Sequence, residues 1–152
     1  MKVLFLDIDG VLAIFRTWMI YGSVFHGDKN LKTKLDPYGL EFIRKLEKLG
    51  VKIVLSSTWR KFVQLKDFSK DTGINFYDKT DILNTIRGDE VKEWLDRHQE
   101  VTHFCILDDP TDMLFEQRNN FVQTSVETGV TGRVMFSVCN ILKVGPYKLK
   151  NQ

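Results

Sequence analysis

The stretch KVLFLDIDGV at residues 2–11 decides the fold of this 152-residue chain. Residues 2–6 form a short, nearly continuous apolar run, and Asp7 ends it. A run of this length without polar alternation is typical of a central strand that is covered on both faces. Such strands occur in parallel sheets whose crossover helices pack on either side. The stretch therefore predicts an α/β protein with Asp7 at the end of its first strand.

The rest of the chain alternates between apolar runs and amphipathic helical patterns, as an α/β sheet with crossover helices requires. Further strands are predicted at residues 51–56, 74–77, 102–107 and 121–123. Residues 8–35 show no such periodicity and are expected to be irregular. The prediction is a single doubly wound, Rossmann-like α/β domain over residues 1–152, with a mostly parallel sheet and helices on both faces. A flap or minimal cap is expected at about residues 11–35.

Polar side chains stand where three of these strands end, namely Asp7, Ser56 and the pair Asp108–Asp109. In an open parallel sheet the carboxyl ends of the strands meet at one edge, where the ligand crevice lies. These side chains are therefore expected to converge. Each has a structural alternative, because aspartate commonly forms turns after strands, and Ser56 with Ser57 could cap the next helix. Their joint occurrence, in order and at strand ends, favours a catalytic site.

Together these motifs resemble the haloacid dehalogenase superfamily, whose four motifs can be matched in order along the chain. They are Asp7-Ile8-Asp9-Gly10-Val11, then Ser56, then a basic residue that Arg87 fits best, then Asp108–Asp109 with Asp112 close behind. Four stretches are more narrowly similar to the dehalogenase-like domains associated with Swiss Army Knife RNA repair proteins. These are SSTWR at 56–60, RGDEVKEWL at 87–95, ILDD at 106–109 and FVQTSVETGVT at 121–131.

The resemblance implies a phosphatase that uses Mg²⁺ and forms a covalent aspartyl-phosphate. Asp7 would be the nucleophile and a metal ligand together with Asp109, and the backbone carbonyl of Asp9 would be a further ligand. Asp108 would lie behind Asp109, although the Asp-Asp order leaves open which of the two binds the metal. The Asp9 side chain would protonate the leaving oxygen and later deprotonate water. Relatives that cleave carbon–halogen bonds lack an acid at this place, so Asp9 favours phosphoryl transfer.

In the same resemblance, Ser56 would hydrogen-bond the transferring phosphoryl group, and Arg87 would offset its negative charge. The commonest residue at the third motif is lysine. Lys79 and Lys92 are therefore alternatives to Arg87.

Four residues next to these motifs are assigned to binding of the phosphate or of the rest of the substrate: Gly10, Ser57, Trp59 and Arg60. An aromatic ring and a guanidinium directly after a catalytic strand could stack on a base or hold a second phosphate. The alternative is that Trp59 packs under the rim of the sheet and Arg60 caps a carboxylate. The expected flap adds basic and aromatic residues: Arg16, Trp18, Tyr21, Phe25, Lys29, Lys32 and Lys34.

These residues favour a nucleotide or a nucleic-acid end as the substrate, although a surface flap with a solvated basic face explains them equally well. A phosphatase of small metabolites such as sugar phosphates is the first alternative function. A binding or regulatory module without activity is the second. The presence of both Asp7 and Asp9 argues against that second alternative.

The composition sets wider limits on function. The net charge of +2 is too small to argue for nucleic-acid binding by itself. No apolar run approaches the roughly 18 residues that cross a bilayer, so no membrane association is expected. The three histidines lack the spacing of a zinc site. Cys105 and Cys139 lie in apolar segments, which favours reduced thiols in a cytoplasmic protein. No obligate protein partner is evident.

Overall fold

The computed structural model describes residues 1–145 and contains one sheet of five parallel strands in the order β3-β2-β1-β4-β5. The elements are β1 (Lys2–Leu6), α1 (Phe15–Tyr21), α2 (Pro37–Lys48), β2 (Val51–Leu55), α3 (Leu65–Thr72), β3 (Phe76–Lys79), α4 (Arg87–Asp96), β4 (His103–Asp108), β5 (Phe121–Gln123) and α5 (Gly132–Leu142). Short 3-10 turns lie at Leu31–Thr33, Thr58–Lys61 and Phe115–Gln117. The predicted α/β class with a parallel sheet is confirmed.

The strand β1 is the centre of the sheet, and its register brings three strand ends level with one another. Leu6 pairs with Leu55 of β2 and with Leu107 of β4. The next residues are also joined, because the backbone N–H of Asp7 donates to the Leu107 carbonyl at 3.1 Å and that of Ser56 donates to the Leu6 carbonyl at 3.0 Å. Parallel pairing therefore places Asp7, Ser56 and Asp108 along one edge.

Apolar side chains cover both faces of the sheet, as the continuous run in β1 predicts. Leu4 and Leu6 belong to a large cluster that includes residues of α2, α3 and α5. Val3 and Phe5 face the other way, into a smaller cluster with Trp94 of α4. All four of these β1 side chains are fully buried. The expected helices on both faces are confirmed.

The strand order reverses direction between β1 and β4. The chain first adds β2 and β3 on one side of β1 and then crosses over to add β4 and β5 on the other. In open α/β sheets such a switch point opens a crevice at the carboxyl ends of the two strands. The end of β1 carries Asp7 and that of β4 carries Asp108 and Asp109, so three carboxylates flank the crevice.

Two details of the predicted elements are wrong. The third strand covers Phe76–Lys79 instead of residues 74–77. The apolar Ile74 fills the core just before the strand, whereas the polar Asp78 and Lys79 pair with β2. Residues 8–35 are not irregular throughout, since they contain α1 and a 3-10 turn. Thr17 is the only buried residue of the seven in α1. The apolar residues of α1 lie on all sides of the helix, so the sequence lacks the single apolar stripe by which a helix is recognised.

The segment between Val11 and Leu35 divides into two parts. Residues 11–14 are fully buried and belong to the core. From Phe15 onwards many side chains face solvent, although the His26 ring stacks on Phe62 with ring centroids 5.1 Å apart. A groove of about 470 Å³ lies between α1, the 3-10 turn at Leu31–Thr33 and the start of α2.

Two further features concern expectations from composition. Within residues 1–145, no helix combines the length and the apolar character needed to cross a membrane. Cys105 and Cys139 are both buried and carry free thiols.

Candidate active site

The carboxylates of Asp7, Asp108 and Asp109 form a compact cluster at the switch point. One oxygen from each residue lies within 4.8 Å of the others. Asp7 is 5% exposed and Asp108 is fully buried, while Asp109 is half-buried. The strand ends thus bring together the residues of the first and fourth motifs, as the sequence predicts.

Gly10 permits the close approach of Asp109. Its φ angle is +76°, and a Cβ atom added to it would lie 2.5 Å from Oδ2 of Asp109. The turn is held by the Gly10 N–H, which donates to the Ala13 carbonyl at 2.8 Å, and by the Thr124 hydroxyl, which donates to the Gly10 carbonyl at 2.8 Å. The absence of a side chain at Gly10 therefore allows the Asp109 carboxylate to join the cluster. Nothing in the sequence indicates that Thr124, which is far along the chain, binds the Gly10 carbonyl.

Arg87 supplies positive charge beside the cluster. Its Nη1 atom lies 3.1 Å from Oδ2 of Asp108 and 3.7 Å from Oδ1 of Asp7, and it also donates to the Ser56 carbonyl. The alternative lysines lie elsewhere. Lys79 donates to backbone carbonyls at 3.1 and 3.4 Å, and Lys92 pairs with Asp96 at the surface. Of the three basic candidates, the structure places Arg87 next to the carboxylates.

Asp112 fixes the start of α4 and thereby the backbone of Arg87. Its Oδ2 accepts from the Arg87 N–H at 3.2 Å, and its carbonyl accepts from the Gly88 N–H at 3.1 Å. Both N–H groups would otherwise lack partners at the helix start. The closeness of Asp112 to the fourth motif is visible in the sequence, but its capping of α4 is not.

The cluster holds more negative charge than Arg87 can offset. Burial raises the pKa of Asp108 to about 9, with repulsion from Asp7 as the next cause, while Arg87 opposes the shift. Burial and the neighbouring Asp7 also raise the pKa of Asp109. Although Oδ2 of Asp108 lies at ion-pair distance from Arg87, the N–H direction is unfavourable, and this buried oxygen accepts no hydrogen bond from the described residues. An oxygen-rich, buried cluster of this kind suits a hard divalent cation such as Mg²⁺.

Asp9 lies at the exposed side of the cluster. Its Oδ2 accepts a hydrogen bond of 2.8 Å from the indole Nε1–H of Trp59. Partial burial of the Asp9 carboxyl group is the main cause that raises its pKa, while the Trp59 hydrogen bond opposes the shift and the charge of Asp7 adds to it. An exposed carboxyl group next to the buried Asp7 carboxylate is able to exchange protons with a bound molecule.

The two serines after β2 differ in their surroundings. The Ser56 hydroxyl is buried and has no partner among the described residues, so it retains a donor for a bound group. The Ser57 hydroxyl accepts from the Trp59 N–H at 3.4 Å and caps the following 3-10 turn. Ser57 thus has the capping position that was the structural alternative to substrate binding.

Arg60 differs most from the expectation of a substrate contact. It is 3% exposed, and its guanidinium pairs with the buried Glu90. It also donates to the carbonyls of Ser56 at 2.8 Å, Ser57 at 2.9 Å and Thr80 at 3.0 Å. Because these protein groups occupy its donors, Arg60 holds the end of β2 in place instead of facing a substrate. Glu90, its partner, was not predicted, since nothing in the sequence relates the two positions.

The comparison with known families agrees with this arrangement. Residues 3–134 match the family described as the HAD domain in Swiss Army Knife RNA repair proteins, where HAD stands for haloacid dehalogenase. The chain belongs to this family. Both the superfamily resemblance and the narrower one are therefore confirmed, and the HAD domain supports a phosphatase-like function. No curated protein and no solved structure gives a significant match.

Proposed function

We propose that this HAD domain is a Mg²⁺-dependent phosphatase that hydrolyses phosphomonoesters through an aspartyl-phosphate on Asp7. The observation that carries the proposal is the cluster of Asp7, Asp108 and Asp109 within 4.8 Å, with the Arg87 guanidinium beside it. Carboxylates that converge on one crevice beside a guanidinium group are suited to phosphoryl transfer, because that reaction depends on positioning of the reactants and compensation of the phosphate charge.

Asp7 and Asp109 would hold the Mg²⁺ ion, together with the backbone carbonyl of Asp9, and Asp108 is the buried carboxylate behind them. The bound ion screens the charge of the phosphate, so that an anionic carboxylate is able to approach it. The donor set fits the ion, since it consists of oxygen atoms only.

Side chains of the protein carry out the nucleophilic attack, the proton transfers and the stabilisation of charge. A carboxylate oxygen of Asp7 attacks phosphorus as the bond to the leaving oxygen breaks, and Asp9 gives that oxygen a proton. Water then attacks phosphorus, Asp9 takes a proton from it, and the bond to Asp7 breaks to release phosphate. The Ser56 hydroxyl and the Arg87 guanidinium stabilise the negative charge on the transferring group.

A nucleotide or a nucleic-acid end is the substrate class that the surface supports best. The groove beside α1 is lined by Tyr21, Lys32 and Tyr38, among other residues, and by Arg16, whose guanidinium pairs with the buried Asp36 at 2.7 Å. Tyr21 is 49% and Tyr38 is 72% exposed, which leaves ring surface for a base. Aromatic rings next to cations bind bases and phosphates together.

Assays with p-nitrophenyl phosphate would test the proposed catalytic mechanism. We expect hydrolysis that needs Mg²⁺ and that disappears in Asp7→Asn, a nearly isosteric change. Mass spectrometry of acid-quenched protein should detect a phosphoryl group on Asp7 in the wild type. Asp9→Asn should lower turnover while it leaves Mg²⁺ binding intact. Activity that persists in Asp7→Asn would contradict the covalent mechanism, and a wild type without activity would favour the binding module.

A substrate panel would test the substrate class. It compares mononucleotides, sugar phosphates and oligonucleotides with a 3′- or 5′-phosphate. Tyr21→Ala should weaken nucleotide turnover by one to two powers of ten, since stacking contributes about 1–3 kcal/mol per base. Tyr77→Ala is the matched control, because Tyr77 is similarly exposed at 46% but lies on β3. Equal efficiency on sugar phosphates, without an effect of Tyr21→Ala, would favour the metabolite phosphatase.

The dependence on salt separates the two nucleic-acid substrates. Each contact between a basic side chain and a backbone phosphate releases counterions, so activity on an oligonucleotide end should fall steeply as salt is added. Activity on a mononucleotide should fall much less.

A further inference from the structure

The hydrogen bond between Trp59 and Asp9 uses one of the two carboxyl oxygens of Asp9. The indole Nε1–H donates to Oδ2 at 2.8 Å. An indole N–H is a donor only and cannot accept a proton. The unprotonated, carbonyl-type oxygen of a carboxyl group is the better acceptor, so this hydrogen bond favours the proton of a protonated Asp9 on the other oxygen, Oδ1.

The surroundings of Trp59 hold its ring in one orientation. Trp59 is 7% exposed and lies in the 3-10 turn that directly follows β2. Its ring packs against Phe68 with centroids 5.8 Å apart, and the His26 ring meets it edge-on at 6.4 Å. Its backbone N–H donates to the Ser57 hydroxyl. A buried ring with contacts of this kind has little freedom to turn and little free surface for stacking on a base.

We infer that Trp59 is a positioning residue that orients the Asp9 carboxyl group for proton transfer. Trp59 holds Oδ2, and Oδ1 is the atom that exchanges the proton. In the first step, the P–O bond of the ester breaks as the bond from Asp7 to phosphorus forms, and the proton on Oδ1 passes to the leaving oxygen. In the second step, water attacks phosphorus and returns a proton to Oδ1 as the Asp7–phosphorus bond breaks. The inference rests on the proposed function, and it replaces the expected substrate stacking by Trp59.

The chain contains a matched control for this contact. The indole Nε1–H of Trp94 donates to Oδ2 of Asp78 at 2.7 Å, and Trp94 is fully buried. Trp94 packs against Phe5, on the face of the sheet that carries α4. Trp59→Phe and Trp94→Phe thus remove the same kind of hydrogen bond, from a buried indole to a carboxylate, but only the first one touches Asp9.

The experiment measures kcat/KM with Mg²⁺ for p-nitrophenyl phosphate, phenyl phosphate and ethyl phosphate. The p-nitrophenolate ion leaves readily without a proton, whereas phenolate and ethoxide need one. A general acid contributes roughly 10²–10⁴-fold to the rate. We expect Trp59→Phe to slow phenyl and ethyl phosphate about tenfold or more, as part of that contribution, and p-nitrophenyl phosphate much less. Trp94→Phe should leave the relative rates of the three esters unchanged.

Several outcomes would overturn the inference. The inference is wrong if Trp59→Phe slows all three esters equally or slows none of them. It is also wrong if Trp94→Phe changes the relative rates of the three esters in the same way as Trp59→Phe. Proton NMR gives an independent check, since the Trp59 indole N–H resonance should move in Asp9→Ala. An unmoved resonance would also overturn the inference. A wild type that hydrolyses none of the esters contradicts the proposed function, whereas an active wild type with an unaffected Trp59→Phe contradicts only the role of Trp59.

Discussion

The Asp109 carboxylate packs against the backbone of Gly10, on the side where any other residue would carry its Cβ atom. The two residues come from the first and the fourth motif, and the contact sets how closely the Asp109 carboxylate approaches the turn that follows β1. A methyl group at residue 10 would displace the Asp109 carboxylate from the cluster.

We therefore expect Gly10→Ala to lower Mg²⁺ affinity and activity by about 10–100-fold, the range seen when groups that support metal ligands are changed. The backbone strain of a non-glycine residue at this angle adds a cost of about 1–2 kcal/mol in folding. Gly50→Ala is the control, since Gly50 has a φ angle of +84° and no atom within 4 Å of the added Cβ. Both variants should lose stability, but only Gly10→Ala should lose activity. Equal activities of the two variants would contradict the role given to Gly10.

Arg87→Met should lower kcat by about 10²–10³-fold, because in the proposed mechanism it removes the charge that stabilises the transferring phosphoryl group. It should not weaken Mg²⁺ binding, since Arg87 competes with a cation for Asp7 and Asp108. Calorimetric titration with Mg²⁺, together with steady-state kinetics, would measure both effects. Lys92→Met is the control, because Lys92 pairs with Asp96 at the surface, and it should change neither quantity. A loss of Mg²⁺ affinity in Arg87→Met would show that Arg87 acts by shaping the metal site.

Asp109→Asn should raise the melting temperature of the metal-free protein and abolish the further rise that Mg²⁺ produces. The pKa of Asp109 is raised by burial and by Asp7, so removal of its charge relieves repulsion. A ligand at 100 times its Kd stabilises the native state by about 2.7 kcal/mol, and the variant should lose this gain. Thermal unfolding with and without Mg²⁺ measures both effects. Asp96→Asn, at an exposed site, should retain the full response to Mg²⁺.

Arg60→Met should destabilise the fold by about 3–5 kcal/mol, because it leaves the buried Glu90 without its partner. The double change to Met at Arg60 and Glu90 should recover part of this loss, since no unpaired charge remains. Urea unfolding measures the effect, and Arg97→Met, in an exposed ion pair, should leave the midpoint nearly unchanged. A stable Arg60→Met variant with a raised KM would instead show that Arg60 binds substrate.

The class of fold and the convergence of the strand ends could be predicted because they depend on local patterns. A continuous apolar run indicates a strand that is buried on both faces of the sheet. The carboxyl ends of parallel strands lie at the same edge wherever the strands pair. These two rules are enough to predict that Asp7 lies beside Asp108, and no contact between particular side chains has to be known.

Contacts between distant side chains could not be predicted in the same way. The sequence assigns Trp59 and Arg60 to substrate binding, with packing under the rim of the sheet and capping of a carboxylate as the alternative. The structure shows the alternative contacts, but their partners Asp9 and Glu90 have no signal in the sequence. The direction of a side chain after a strand depends on which groups the rest of the chain brings near it. The short α1 could not be predicted either, because its apolar residues lie on all sides of the helix and give no periodic pattern.

The position of β1 between β2 and β4 also has a kinetic consequence. Asp7 meets Asp108 only after β4, which comes late in the chain, has paired with β1. Contacts between residues that are distant in sequence form slowly, since a long loop must close first. The repulsion among the carboxylates, and any metal that relieves it, therefore acts late in folding. Mg²⁺ should accordingly slow the unfolding of the native protein and leave the rate at which the chain folds nearly unchanged.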